Sequence, residues 1–215
     1  FEKKHPDNYC LLRTKAQRLV DQQKWEEARK PLERLVELYP QQKGAESAYR
    51  PLVAALRALN DQAGELAVLQ KWVEVDDEAT EGYLRLMELA AAEKDWPTVA
   101  RNSERYLSVN PLVPPPYRYF AQAATGLGDD SGAVVAWRTL IQLDVPERAD
   151  AHYELARLLH GRGDTSEARR HVLLALEETP RYRAALKLLK EIRHARPEPV
   201  TGAAPIENLL PSKKR

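Results

Sequence analysis

The chain has 215 residues, a formal net charge of +1 and one cysteine, Cys10. Near-neutrality removes any bulk electrostatic drive toward nucleic acid or an anionic membrane, and a lone cysteine excludes a disulfide framework and a thiolate metal cluster. Ala, Leu, Glu, Arg and Lys dominate, only two Phe occur, and the 15 prolines fall mostly between periodic segments, so helix is favoured over sheet throughout. No apolar run approaches the roughly 18 residues of a spanning helix, no secretory signal is visible, and no membrane insertion is expected.

Residues 1–7 are polar and irregular, with Pro6 just before the first periodic residue, and read as a linker. A first helix pair follows over about 9–40. Leu12, Ala16 and Leu19 share one helix face, and Trp25, Ala28, Leu32, Leu35 and Leu38 share the next. Pro31 is expected to bend this second helix or delay its start, because it removes a backbone donor and crowds the preceding turn. A second pair occupies about 46–77. Ser47 is placed to cap it, Tyr49, Val53, Leu56 and Leu59 form a stripe, and Pro51 is tolerable only in the first turn. Its return helix carries Leu69, Trp72, Val73 and Val75, with Glu65 near a place that is small elsewhere, which leaves the register of residues 60–80 open by a residue or two.

The third pair, about 80–111, is regular. Tyr83, Leu86, Met87 and Ala90 are followed by Trp96, Val99, Tyr106, Leu107 and Val109, and Asn110-Pro111 closes it. Leu112 to Pro116 holds three consecutive prolines and is expected to be an extended entry, with helix resuming at Tyr117. The fourth pair, about 114–145, uses Phe120, Ala121 and Ala124, a Gly128-Asp129 turn, and Ala133, Trp137 and Leu140. In the fifth, about 149–180, Gly163 suits the left-handed residue that ends the first helix, and Asp164 or Thr165 is placed to cap the second. Residues 182–195 predict one more helix, with Leu186, Leu189 and Ile192 on one side and Arg183, Lys187, Lys190 and Arg193 on the other. From 196 to 215 four prolines and a basic end predict disorder, with Ile206, Leu209 and Leu210 open as a short docking segment or an unstructured end.

The residues that open each first-helix stripe are Leu12, Tyr49, Tyr83, Tyr117, His152 and Leu186, at intervals of 37, 34, 34, 35 and 34. Such a period is the signature of stacked helix pairs, none of which buries its apolar stripe alone. Residues 149–180 in particular resemble a tetratricopeptide repeat. Small residues stand at Ala156, Ala168 and Ala175, large ones at Leu155, Leu159 and Val172, the turn is Gly163-Asp164, and Pro180 ends the unit. The resemblance implies an all-α, right-handed superhelix of five helix pairs, capped by the helix at 182–195.

Catalytic groupings are not visible. There is no HExxH, GxxxxGK[ST] or GxSxG, and His5, His152, His160, His171 and His194 lack recognised ligand spacing. No cofactor and no metal are expected. His152 reads as packed or hydrogen-bonded, Asp76-Asp77-Glu78 as solvated or capping, and Cys10 as a small residue near a helix start. Trp25, Trp72, Trp96 and Trp137 all fall on second helices, where large side chains fill the layer between neighbouring pairs.

The resemblance implies a scaffold that binds a peptide segment of a partner protein in a concave groove lined by first helices. Outward positions on those helices are Arg13 and Gln17, then Arg50, Ala54 and Arg57, then Glu81, Arg85 and Glu88. Arg118, Tyr119 and Gln122 follow, then Asp150, Tyr153, Glu154 and Arg157. Arg13, Arg50, Arg85 and Arg118 form a ladder whose guanidinium forks suit carboxylates or carbonyls, so an acidic or extended peptide is expected. The family's chaperone-binding members clamp a terminal carboxylate with lysine and asparagine on successive first helices. The matching places here hold Arg13, Gln17, Pro51, Glu81 and Arg85, so no heat-shock chaperone ligand is expected. The alternative expectation, motivated by a start at Phe1 rather than Met, is an accessory region of a larger enzyme of peptidase or hydrolase type, with its catalytic domain before residue 1.

Overall fold

The structure, a computed structural model, describes residues 7–143 and 146–194. The expected disordered tail and its Ile206, Leu209 and Leu210, like residues 1–6 of the expected linker, lie outside the described residues. Eleven α-helices and a short 3-10 turn make up the described chain, and no strand occurs among the described residues.

The helices alternate as first and second members of each pair. The first pair is α1 (Tyr9–Asp21) and α2 (Trp25–Leu38), and the 3-10 turn Gly44–Glu46 separates it from α3 (Tyr49–Ala58) and α4 (Gln62–Val75). Then come α5 (Thr80–Ala92) with α6 (Trp96–Val109), α7 (Pro114–Leu127) with α8 (Asp130–Gln142), and α9 (Arg148–Gly161) with α10 (Thr165–Glu178). A single helix, α11 (Arg183–His194), follows. Each helix packs on the next, and α5 also touches α7 as α9 touches α11, which is how pairs stack into a right-handed α-superhelix.

One backbone device recurs at every turn within a pair. Gln23, Asn60, Lys94, Gly128 and Gly163 all have positive φ, from 56° to 85°, and end the first helix in the left-handed conformation. Gly163 does what its sequence position implied, yet three of the five turns use residues with a Cβ. The following residue then starts the second helix, and Asp61, Asp95 and Asp129 each accept a backbone N–H three residues on. Asp164 is the N-cap residue of α10, but its side chain makes no capping bond and lies 3.7 Å from Arg162 instead.

The caps fix the register that the sequence left open. Ala28, Glu65, Val99, Ala133 and Ala168 are each the fourth residue of their helices, and each donates its N–H to the carbonyl of its N-cap residue. All five are buried, so a carboxylate stands where a small or branched apolar residue stands elsewhere. A second recurrence ties one pair to its neighbour. The hydroxyls of Tyr49, Tyr83 and Tyr117 donate to the carbonyls of Pro40, Val73 and Pro111, at 3.1, 3.0 and 3.0 Å.

Pro51 stands in the first turn of α3 as expected, while other prolines depart from expectation. Pro114, Pro115 and Pro116 do not hold an extended entry: they are the first turn of α7, where the missing donors have no intrahelical partner to lose. Pro31 neither delays nor interrupts α2, which runs from Trp25 with Pro31 buried inside it. Ser47 sits one place before the N-cap Ala48 of α3, and its Oγ accepts the Tyr49 N–H at 3.3 Å. Asp7, expected in the linker, accepts two hydrogen bonds from Arg34.

Trp72 and Trp137 are buried, whereas Trp25 and Trp96 are half-buried at the starts of their helices, with Trp96 lying over Gly126 so closely that no Cβ would fit there. Val109, assigned to a stripe, is exposed, and so is Leu186. In α11 the buried face is Ala185, Leu188, Leu189 and Ile192. Leu186, Lys190 and Arg193 occupy the places of His152, Ala156 and Leu159, which in α9 face the partner helix α10. Lys190 and Arg193 thus put charges where Ala156 and Leu159 are apolar, on the side of α11 against which no further helix packs among the described residues.

Candidate functional site

The outward side chains of the first helices are the candidate site, and they divide into three settings. At the N-terminal end, Arg13 and Gln17 of α1 and Arg50 and Ala54 of α3 line one cavity of about 340 Å³. Its floor is apolar, with Ala16, Leu32 and Leu35, and one wall is the 3-10 turn at Gly44–Glu46. That turn accounts for the long interval of 37 residues between the first two stripes. It is pinned from below by Asp76, a buried carboxylate that accepts the N–H groups of Gly44 at 3.0 Å and Glu78 at 3.1 Å. Asp76 is therefore a turn-organising residue, in line with its capping expectation.

The middle setting is the most heavily charged. Arg57 and Arg85, both expected in the groove, converge on Glu65, whose side chain is 2 % exposed. Arg85 binds it with a guanidinium fork, Nε to Oε1 at 2.8 Å and Nη2 to Oε2 at 3.0 Å, and Arg57 adds Nε to Oε1 at 3.0 Å. Burial works against the Glu65 carboxylate, but the hydrogen bonds from Arg85 and then Arg57 outweigh it and hold its pKa below the usual carboxylate value. Arg85 is only 20 % exposed and also donates to Glu88 at 2.8 Å, so its fork is already filled by the chain itself.

The same holds along the ladder. Arg13 pairs with Glu46, Arg50 with Glu81 at 2.6 Å, and Arg118 with Glu147 at 2.8 Å. Arg157 pairs with Glu154 at 2.9 Å. The row of arginines is thus a row of ion pairs: the counter-charges of Arg13, Arg50 and Arg118 come from the loop or helix that follows, while Arg85 and Arg157 pair with Glu88 and Glu154 of their own helices and Arg85 also with Glu65 of α4. Glu81, Glu88 and Glu154, which the sequence placed outward, are three of these partners.

Toward the C-terminal end, Tyr119 is half-buried against the core of α3–α7 and its hydroxyl pKa is raised, first by burial and then by Glu88. Gln122 is exposed. Tyr153 packs on Tyr182, ring centroids 5.0 Å apart. Burial and a hydrogen bond to Asp150 push the Tyr182 hydroxyl well above its ordinary pKa. Below this surface His152 is hydrogen-bonded, as read from the sequence, to a residue that the sequence did not single out: its Nδ1 lies 2.9 Å from Nδ1 of His171. The candidate residues are therefore strung along the first helices, with only Arg13, Gln17 and Arg50 meeting in one cavity. No group of three or more His, Cys, Asp or Glu side chains suited to a metal ion occurs among the described residues.

An array of helix-turn-helix units with a row of first-helix side chains on one face defines an α-solenoid. The fold is that of tetratricopeptide repeat proteins, as solved structures of such proteins bear out. YrrB, described as a tetratricopeptide repeat protein with an unusual peptide-binding site, is 15 % identical, with 88 % of this chain and 95 % of that one covered at a TM-score of 0.68. MamA is 15 % identical over 81 % of this chain and 93 % of that one, TM-score 0.62. The Naa15/Naa10 complex bound to HypK matches at 17 % identity and TM-score 0.64, over 89 % of this chain and 29 % of that one. No family model and no curated protein matches the chain.

Proposed function

We propose that this repeat array is a non-enzymatic scaffold whose concave face holds an extended segment of a partner protein. The observation that carries the reading is the row of outward first-helix side chains at one-repeat spacing, from Arg13 and Gln17 through Arg50 and Arg118 to Gln122 and Arg157, with an open, apolar-floored cavity at one end. A peptide-binding site on YrrB and a Naa15/Naa10 complex bound to HypK supply precedent for the fold. The pairing of the ladder bears on the ligand. A carboxylate arriving at Arg50 or Arg118 competes with Glu81 or Glu147, so an extended segment recognised through its main chain fits better than a strongly acidic one.

A photo-crosslinking residue placed at Gln122, and at the exposed Val135 of the second helix α8 as a control, tests the face. Crosslinking of one partner from position 122 and not from 135 is expected. Arg50→Glu with Arg118→Glu is expected to abolish the crosslink at little cost in stability, because exposed pairs contribute only about 0–1 kcal/mol each. Crosslinking from 135 alone moves the site to the other face.

A further inference from the structure

We infer that the cavity between α1 and α3 receives one large uncharged side chain, aromatic or branched aliphatic, from the segment held in the groove, an inference that rests on the groove reading above. The floor sets the chemistry. Ala16, Leu32 and Leu35 are 2 %, 2 % and 3 % exposed and offer no hydrogen-bonding side chain to an occupant. The size is ample: an apolar cavity of about 150 Å³ holds benzene, and this one measures about 340 Å³. The mouth is kept open by small residues, Ala45 and the exposed Ala54.

Charge decides between an apolar occupant and an acidic one. Both guanidinium groups at the rim already have carboxylates, Glu46 on Arg13 and Glu81 on Arg50, and Gln17 is engaged by Asp21 at 2.7 Å. An incoming carboxylate must displace one of them or share its guanidinium against the repulsion of the resident carboxylate. An apolar side chain displaces none and gains the burial. The wall is set before any ligand arrives, because Gly44 is fixed at φ 70° by the Asp76 carboxylate and the Ser47 N–H closes the turn on the Gly44 carbonyl at 3.1 Å. A preformed pocket loses less entropy on binding than one ordered by its ligand. The inserted turn thereby adds specificity at one end of the array.

The test uses short Gly-Ser peptides, blocked at both ends, that carry Phe, Leu, Ala or Glu at the centre, titrated into the ¹⁵N-labelled chain. The Phe and Leu peptides are expected to bind about tenfold or more tighter than the Ala and Glu peptides, with shifts centred on Ala16, Val20, Ala48 and Ala54. Ala54→Trp plugs the mouth from an exposed position and should bring the Phe peptide down to the Ala level with an unchanged melting curve. Glu46→Gln frees Arg13 and should raise affinity for the Glu peptide while leaving the Phe peptide as it was. Equal affinity for Phe and Ala, tightest binding of Glu by the unmodified chain, or shifts confined to α7 and α9 would each overturn the pocket. Because Gln122 lies outside this cavity, persistence of its crosslink in Ala54→Trp shows that the groove reading survives such a failure. Its absence from both proteins removes the groove as well.

Discussion

Glu65 offers a perturbation whose sign depends on which partner is removed. Arg85→Met takes away two of the three charge-assisted hydrogen bonds to a carboxylate that is 2 % exposed and leaves it with Arg57, half of whose side chain is in solvent. Breaking a buried pair costs about 3–5 kcal/mol. The surviving Arg57 contact puts this variant near the lower bound, about 3 kcal/mol, or roughly 6–12 °C in melting temperature for a chain of this size. Glu65→Ala leaves no buried charge unpaired and is expected to cost only about 1–2 kcal/mol, within the ordinary range for one substitution. It installs the residue already present at Ala28, Ala133 and Ala168, lets Arg57 turn to water, and leaves Arg85 its bond to Glu88. Glu65→Leu combined with Arg85→Met, which removes both charges, should lie closer to the unmodified chain than Arg85→Met alone. The pH dependence has a fixed sign. Because the folded Glu65 pKa lies below its ordinary value, the contribution is complete above the usual carboxylate range and is lost as pH falls through the depressed value. Urea unfolding of the four proteins at neutral and acid pH measures all of this. A Glu65→Ala variant less stable than Arg85→Met would refute the argument that the uncompensated buried charge is the dominant cost.

Ala168→Arg should destabilise by about 3 kcal/mol or more, through overpacking and a charge at a residue with no exposure; a melting temperature within a degree or two of the original would show that the fifth pair is not packed as described. Lys94→Gly relieves a left-handed residue at φ 58°, and after the added freedom of the unfolded chain is subtracted a net gain of up to about 1 kcal/mol is expected in thermal unfolding. The histidine pair predicts acid sensitivity. Burial, then the charges of His171 and Arg148, against the opposing pull of Glu178, push the His152 pKa down to about 4. The unfolded chain therefore takes up this proton first, so the contribution is complete above about pH 6.5, falls as pH drops, and levels off near 4. His152→Tyr, which copies Tyr49, Tyr83 and Tyr117, should flatten that slope in urea unfolding curves measured from pH 7 to pH 5.

The period of the fold lies open in the sequence because the same constraint is repeated. Each pair needs a left-handed turn, a small contact near the start of its second helix and a large residue one layer down, and Gly163, Ala168 and Val172 spell these out. Pro114–Pro116 misled because a proline's effect depends on whether its missing donor had a partner to lose, and in a first turn it had none. The exposure of Leu186 was hidden for another reason, since its periodicity is intact and only the facing helix is absent among the described residues. At the candidate site Arg13, Gln17, Arg50 and Gln122 are exposed where the sequence placed them outward, whereas Arg85 and Tyr119 are half-buried, and the neutralisation of the arginines was not legible. The carboxylates that fill Arg13, Arg50 and Arg118 lie 33, 31 and 29 residues further on, at distances set by superhelical stacking rather than by any local spacing. Glu65 announced itself as a charge in a small-residue place, while Arg85, 20 residues away, became its main partner only through the packing of α5 beside α4.

The apolar core is divided into three clusters, one under α1–α3, one under α3–α7 and one under α7–α11. The helix α3 serves two of them, with Leu52, Ala55 and Leu56 turned to the first and Tyr49 and Val53 to the second. Arg29–Asp61, Arg50–Glu81 and Arg138–Glu167 likewise bridge only adjacent pairs, at 3.0, 2.6 and 2.7 Å. Coupling of this kind passes from one unit to the next and has no direct route from end to end, so loss of order at one end stops at the first strong joint. Exposed charge pairs at several joints make the transmission itself sensitive to ionic strength. Added salt would then broaden the unfolding transition more than it shifts the midpoint, as the chain goes from melting as one body to melting in segments.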